Sequence, residues 1–172
     1  PLLGGDTVKT PGPLTLSLTA FGQVPAGKMV ARTAARPGDL IAVTGTIGDA
    51  ALGLRCRTEA NASWTTSLGP AHREFLARRY LLPEPRSAVA EILRTHGHAG
   101  MDVSDGLIGD LEKMMRVSGV SARVALDAVP LSEAARHAIA ADPSLFETAM
   151  TGGDDYEILL TATPAAMERL KA

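Results

Sequence analysis

From Leu14 to Phe21 (LTLSLTAF) apolar side chains alternate with small polar ones, the period of two that marks a half-buried strand. Gly22, Pro25 and Gly27 close that run. A second strand, Leu40 to Thr44, follows the turn residues Pro37-Gly38-Asp39. Residues 55–69 are polar and without period, which predicts a surface connection. Helical spacing follows over 70–80 and 86–95, the second stacking Val89, Ile92 and Leu93 on one face. Ala99 to Val103 reads as a short strand. From Asp105 to Val117 the apolar Leu107, Ile108, Leu111, Met114 and Met115 recur at helical spacing, and Gly119 is placed to stop that helix. Ala122 to Leu126 reads as a strand, and Ser132 as the cap of a helix running to about Ala141. A last strand, Glu157 to Thr161, is followed by Thr163-Pro164, a cap and first turn for a final helix. Strands and helices interleave without a strict βαβ rhythm, so the expected fold class is α+β, a mixed sheet with helices packed on it.

Composition narrows the function. With 172 residues and 45% hydrophobic, the chain can bury a core. Seventeen basic and nineteen acidic side chains give a net charge of -2, which speaks against a nucleic-acid surface built on basic residues. Trp64 and Tyr80 offer no aromatic platform for bases either. One cysteine, Cys56, can form neither an internal disulfide nor a thiolate zinc site, which points to a reducing compartment; the expected location is cytoplasmic. Apolar runs are shorter than a membrane span, and no basic leader opens the chain. Asn61-Ala62-Ser63 matches a glycosylation acceptor by chance in such a setting. The chain starts without Met, and Pro1-Leu2-Leu3-Gly4-Gly5-Asp6 resembles a strand end entering a glycine turn; a fragment of a longer protein is expected.

Aspartates beside glycines carry the candidate chemistry. Gly4-Gly5-Asp6-Thr7, Asp102-Val103-Ser104-Asp105-Gly106 and Gly152-Gly153-Asp154-Asp155-Tyr156 each fall where a strand meets a turn or helix. Glycine lets backbone approach a ligand closely. Asp102 and Asp105, three apart, can reach one ion, with the Ser104 hydroxyl available to a phosphate. Clustered carboxylates repel unless a cation neutralises them, and hard oxygen donors suit magnesium. Phosphoryl transfer needs little beyond magnesium, positioned phosphates and a basic side chain. The same residues have plainer roles: Asp6, Asp154 and Asp155 as turn formers, Asp102 or Ser104 as a helix cap, Asp105 as a first-turn acid.

Two other patterns are set aside. Gly22 to Met29 imitates a phosphate-binding P-loop, but its last residue is a thioether where a hydroxyl must hold magnesium, and Pro25 removes an amide. His96 and His98 flank a glycine at a helix end and read as solvated.

Taken together, LGGDTVKTPGPLTLSLTAFGQVP, ARPGDLIAVTGTIGDAALGL, RYLLPEPR, MDVSDGLIGDL and TGGDDYEILL resemble the thiamine-monophosphate kinases. The resemblance runs in order from about Leu3 to Pro164. It places the chain in a PurM-like superfamily shared with aminoimidazole ribonucleotide synthetase, selenophosphate synthetase and a hydrogenase maturation protein. It implies two α+β domains, the first pairing across a homodimer, with residues 1–32 as the tail of the first domain and 33–172 as most of the second. It implies that Asp6, Asp102 and Asp105 bind magnesium, that Gly5, Asp6, Arg32 and Ser104 contact ATP, and that Asp154 contacts thiamine monophosphate. Asp154 stands where many members carry Glu, one methylene longer. The implied reaction is phosphorylation of thiamine monophosphate to thiamine diphosphate, with no nucleic acid and no membrane as partner. The alternatives are another ATP-using enzyme of the superfamily, or a noncatalytic magnesium–nucleotide binding protein.

Overall fold

The computed structural model describes residues 3–170, and its regular elements begin at Leu40. In chain order they are β1 (Leu40–Val43), α1 (Asp49–Thr58), α2 (Ser63–Ser67), α3 (Pro70–Leu81), α4 (Ala90–His96), β2 (Ala99–Val103), α5 (Leu107–Ser118), α6 (Glu133–Ala141), α7 (Leu145–Thr151), β3 (Glu157–Ala162) and α8 (Pro164–Leu170). The sheet order is β1-β3-β2, with Leu40 opposite Ala162 and Val103 opposite Glu157. β3, last in the chain, lies between the other two and runs antiparallel to both. The fold is α+β; the sheet expected to be mixed is antiparallel in every pairing of the described residues.

β3 divides the packing into two layers because successive side chains point to opposite faces. Leu159 joins the larger core with Ile47 and Leu52 of the α1 region, Leu76 of α3, Met114 of α5 and Leu145 of α7. On the other side Leu160 and Ala162 pack with Met167 of α8, against Leu93 of α4. In α5 the repeat of Leu107, Leu111, Met114 and Met115 forms the buried stripe that the sequence predicts. The helix stops at Gly119, whose left-handed φ of 68° lets its amide and the next reach back to the last turn. Ser132 caps α6 as expected, its Oγ accepting from the Ala135 amide at 3.0 Å.

Three expectations are corrected. Residues 55–69 are not an irregular connection: α1 runs through Thr58, and α2 buries Trp64 and Thr65. The indole bonds to Glu59 at 3.2 Å, so polar side chains here serve as partners for buried aromatic and helical surface. Ala122 to Leu126 makes no ladder; within it only Val124 packs against the core, and Ala122 and Leu126 stay exposed, so the expected strand alternation is absent. Leu14 to Phe21 is also unpaired, with Leu14, Leu16 and Leu18 at 87–90% exposure. A strand needs a neighbour for its amides, and among the described residues none is offered there.

His98, expected to be solvated, lies 2.9 Å from Asp39 Oδ1 through Nδ1, and Thr161 Oγ1 donates to the other Asp39 oxygen at 3.0 Å. This ties the β1 entrance to β2 and β3.

A buried ion-pair network fixes the start of β3. Glu157 is fully buried, accepting from Arg79 Nη2 of α3 at 2.7 Å, from Arg86 Nε at 2.7 Å and from Thr44 Oγ1 at 2.5 Å. Removing one partner of a buried pair leaves a desolvated charge. Arg79→Met, which leaves Glu157 to Arg86 and Thr44, is therefore expected to cost about 3 kcal/mol in urea unfolding, clearly more than Arg55→Met, which loses the part-exposed pair with Glu59. Equal losses in the two variants would show that burial does not set the hierarchy.

Candidate acidic active site

β2 ends at Val103, and the chain turns through Ser104-Asp105-Gly106 into α5. That turn is wound around Asp110, whose side chain sits one turn inside the helix at 1% exposure. Asp110 Oδ2 accepts from the Ser104 amide at 2.9 Å and the Asp105 amide at 2.8 Å. Its other oxygen takes Lys113 Nζ at 3.0 Å, and Lys113 also reaches Asp105 Oδ2 at 2.5 Å. The hydrogen bond to Asp105, then that to Asp110, holds the Lys113 ammonium above its usual pKa.

The second loop, residues 152–156, lies against the first. The Asp154 amide donates to the Ser104 carbonyl at 3.0 Å and the Tyr156 amide to the Val103 carbonyl at 2.8 Å. Two glycines permit this contact. A Cβ on Gly153 would lie 2.2 Å from the Ser104 carbonyl oxygen, and one on Gly106, at φ +102°, 2.3 Å from that of Thr151. Asp154 (φ 70°) and Tyr156 (φ 51°) adopt left-handed conformations, which non-glycine residues hold only where surroundings enforce them.

The loop points alternate residues in opposite directions. Asp155 and Glu157 go inward; Asp154 is half-buried and Tyr156 exposed. The Tyr156 hydroxyl donates to Asp154 Oδ1 at 3.2 Å. That bond and the Asp154 charge raise the phenol's pKa, with smaller contributions from Asp102 and Asp105.

Asp155 does the opposite work inside. Its Oδ2 accepts from the Gly48 amide at 2.6 Å and its Oδ1 from the Ala50 amide at 3.1 Å, anchoring the start of α1. Burial pushes its carboxyl up, the two amides pull it back, and the result is about 6. Neighbouring Asp49 is also raised, by burial first, while it accepts from Ser132 and Thr46 at 2.5 Å each.

Of the residues singled out by sequence, Ser104, Asp105 and Asp154 come together on these two loops, with Asp102 in β2 just before the first of them. Gly5 and Asp6 lie on the exposed leading segment, Asp6 Oδ1 accepting from the Thr7 amide at 2.7 Å. Arg32 is exposed, and its carbonyl accepts from Ser118 Oγ at 3.2 Å, beside the end of α5. Among the described residues no hydrogen bond or ion pair joins Gly5, Asp6 or Arg32 to the two loops, and the carboxylates of Asp6, Asp102 and Asp105 are not gathered to within 4.8 Å as a set. The donors here are hard oxygens, exposed at Asp102 and Asp105 and half-buried at Ser104 and Asp154, a set whose chemistry fits magnesium. Sequence reasoning missed Asp110 and Lys113 here, and the buried Asp49 and Glu157 behind them; Asp155 stood in the quoted motif only as a turn former, and Tyr156 without a role. Asp110 and Lys113 had a signal, an acid–base pair at i,i+3 following the acidic turn.

Comparison with known proteins gives a consistent picture. The family described as AIR synthase related protein, C-terminal domain, matches residues 36–170. The thiamine-monophosphate kinase of Caulobacter vibrioides is 41% identical over 166 residues, 95% of this chain and 45% of that protein. A crystal structure of thiamine-monophosphate kinase from Stenotrophomonas maltophilia is similar with a TM-score of 0.78 and 39% identity, covering 87% of this chain and 47% of the other. A structure of AaThiL complexed with AMPPCP and TMP has a TM-score of 0.71 and 29% identity, covering 80% of this chain and 43% of that one. The chain spans about half the length of the curated relatives it matches. Among the described residues no helix is long and apolar enough to cross a membrane.

The Asp155 anchor has a pH signature. A carboxyl with a folded pKa near 6 against an ordinary 3.8 binds its proton more tightly when folded. Its stabilising contribution is thus complete below 3.8 and lost as pH rises through 6, a change on the order of 3 kcal/mol. Denaturation of the parent chain from pH 3.5 to 7 should contain this downward component, and Asp155→Asn should lack it. Parallel pH profiles for the two proteins would refute the assignment.

Proposed function

The chain belongs to the AIR synthase related family, as its C-terminal domain, and from that premise we propose that it is part of a thiamine-monophosphate kinase. The whole protein would transfer the γ-phosphoryl group of ATP to a phosphate oxygen of thiamine monophosphate. The observation that supports this reading is the backbone pairing of the two glycine-braced acidic loops, which brings Asp105 and Asp154 onto adjoining turns next to Asp102 near the end of β2.

Each residue has a role that its chemistry can fill. Asp102 and Asp105, with Asp6, would hold magnesium, which when bound neutralises phosphate charge and orients the oxygens. Ser104 follows a strand end and has a hydroxyl to offer a nucleotide phosphate. Gly5, Asp6 and Arg32 would complete the ATP contacts, Arg32 as a planar donor fork that suits phosphate. Asp154 would meet the thiamine phosphate substrate. Lys113 holds Asp105 in place before any ligand arrives.

In the reaction a bond forms between an acceptor phosphate oxygen and the γ-phosphorus. The bond from that phosphorus to the β,γ-bridging oxygen breaks, and ADP leaves with the electron pair. The acceptor oxygen is already anionic near neutral pH, so the protein needs to position two phosphates in line rather than remove a proton. The site agrees with that demand, offering carboxylates and basic side chains with no histidine on the two loops. The reading also takes residues 1–32 as the end of a preceding domain through which the whole protein forms a homodimer, and a cytoplasmic location.

The full-length protein should release ADP only when thiamine monophosphate and magnesium are both present. Asp102→Asn and Asp105→Asn should each lower kcat/KM by at least about 100-fold with unfolding midpoints unchanged. Arg32→Ala should raise the KM for ATP more than that for thiamine monophosphate. Turnover with selenide or an aminoimidazole ribonucleotide precursor, and none with thiamine monophosphate, would replace this assignment with another member of the superfamily.

A further inference from the structure

A second polar cluster lies where α3 and α6 meet, on elements that carry none of the proposed magnesium or nucleotide ligands. His72 is the third residue of α3, and Glu133 and His137 stand four apart on α6. One ligand atom from each of the three lies within 4.8 Å of the other two. His72 Nε2 is 4.0 Å from Glu133 Oε1, and the two imidazole centroids are 4.6 Å apart with planes inclined by 37°.

The histidine orientation adds chemical meaning. His137 Nδ1 lies 2.9 Å from the Glu133 carbonyl oxygen. A carbonyl only accepts, so Nδ1 carries the hydrogen, and in the neutral ring the lone pair sits on Nε2. A hydrogen bond to backbone carbonyl at one ring nitrogen is the arrangement by which proteins orient the other toward a metal. Two protonated imidazoles at this spacing would repel, and the side chain of Glu133 is 78% exposed, too solvated to pin them as a simple ion pair. A divalent cation satisfies all three groups at once.

We propose that His72, Glu133 and His137 form a surface site for a transition-metal dication of the zinc class, with water in the remaining position. Two imidazoles and one carboxylate are a recurring three-ligand zinc set, with metal–ligand lengths of about 2.0–2.2 Å. Ligand atoms up to 4.8 Å apart must draw in somewhat to reach such lengths, and the half-buried His72 and exposed Glu133 are free to do so by side-chain rotation. Imidazole donors select against magnesium, which prefers oxygen. The site would staple α3 to α6. α3 carries Arg79, the partner of Glu157, and Ser132, which caps α6, is the partner of Asp49, so the staple bears on the network behind the acidic loops.

The test is calorimetric titration of the nucleotide-free full-length protein with zinc chloride, together with thermal unfolding with and without the metal. One zinc per chain and a raised unfolding midpoint are expected, with no such rise from the same concentration of magnesium. His72→Ala and His137→Ala should each weaken zinc binding by at least about tenfold and remove the stabilisation, while Asp102→Asn should retain both. His137→Gln serves as a second variant should alanine disturb α6. Absence of zinc binding in the parent protein, or binding unchanged in both histidine variants, would overturn the proposal.

Discussion

A carboxylate taken fully out of water must be surrounded by donors, and Glu157 at the head of β3 imposes that demand on the whole domain. The donors come from three separate places: Thr44 just past β1, Arg79 late in α3, and Arg86 in the connection toward α4. None of these is a sequence neighbour, so satisfying Glu157 brings the sheet and the α1–α3 region into register with each other. Thr44 Oγ1 both donates to Glu157 and accepts from the Ile158 amide at 2.8 Å, which extends the β1–β3 pairing by a side chain. The chain leaves the second acidic loop at this same residue. Its exit direction is therefore set by buried ion pairs, and the half that faces solvent inherits the rigidity of the half that does not.

The same device recurs on a smaller scale. Asp155 holds the amides of Gly48 and Ala50, and Asp110 holds those of Ser104 and Asp105. In each case a buried carboxylate takes up backbone donors that no regular ladder satisfies. The exposed carboxylates are displayed by turns whose shape the hidden ones determine. This division explains how like charges can be crowded at one end of a sheet without collapse of the turn: the inner acids are matched by amides and arginines, and only the outer ones remain for a cation. Gly106 and Gly153 then let the two turns touch backbone to backbone.

Much of this was legible in the sequence, and the failures have physical causes. β1, β2 and β3, the stripe of α5 and the Ser132 cap follow from periodicity and capping chemistry because packing and local preference agree there. α1 escaped because residues 49–58 are nearly all small or charged, and its buried Ala50, Ala51 and Leu52 form no wide apolar stripe. α2 escaped because five residues carry too little pattern. The segment from Leu14 to Phe21 misled because alternation records a potential to pair and says nothing of whether a partner strand exists in the same chain. At the site, glycine-flanked aspartates identified both loops. The inward members remained hidden, since Asp154 and Asp155 are the same residue type and only the direction of the backbone separates a displayed acid from a buried one.

Donor chemistry also sorts the surface into two regions that do not compete. The loop end presents carboxylate oxygens with Lys113 as a built-in counterion, a combination that a hard, strongly hydrated cation and a polyphosphate can displace together. The α3–α6 face presents imidazole nitrogens, which such a cation binds poorly. The two regions are nevertheless mechanically joined, because the last turn of α3 carries Arg79, one of the two arginines on Glu157, and α6 is capped by the serine that bonds Asp49. A change in the spacing of those helices would be felt first by buried charges, which tolerate displacement least, and through Asp155 and Glu157 by the loop between them. The interior acids are thus the groups that touch elements of both surfaces.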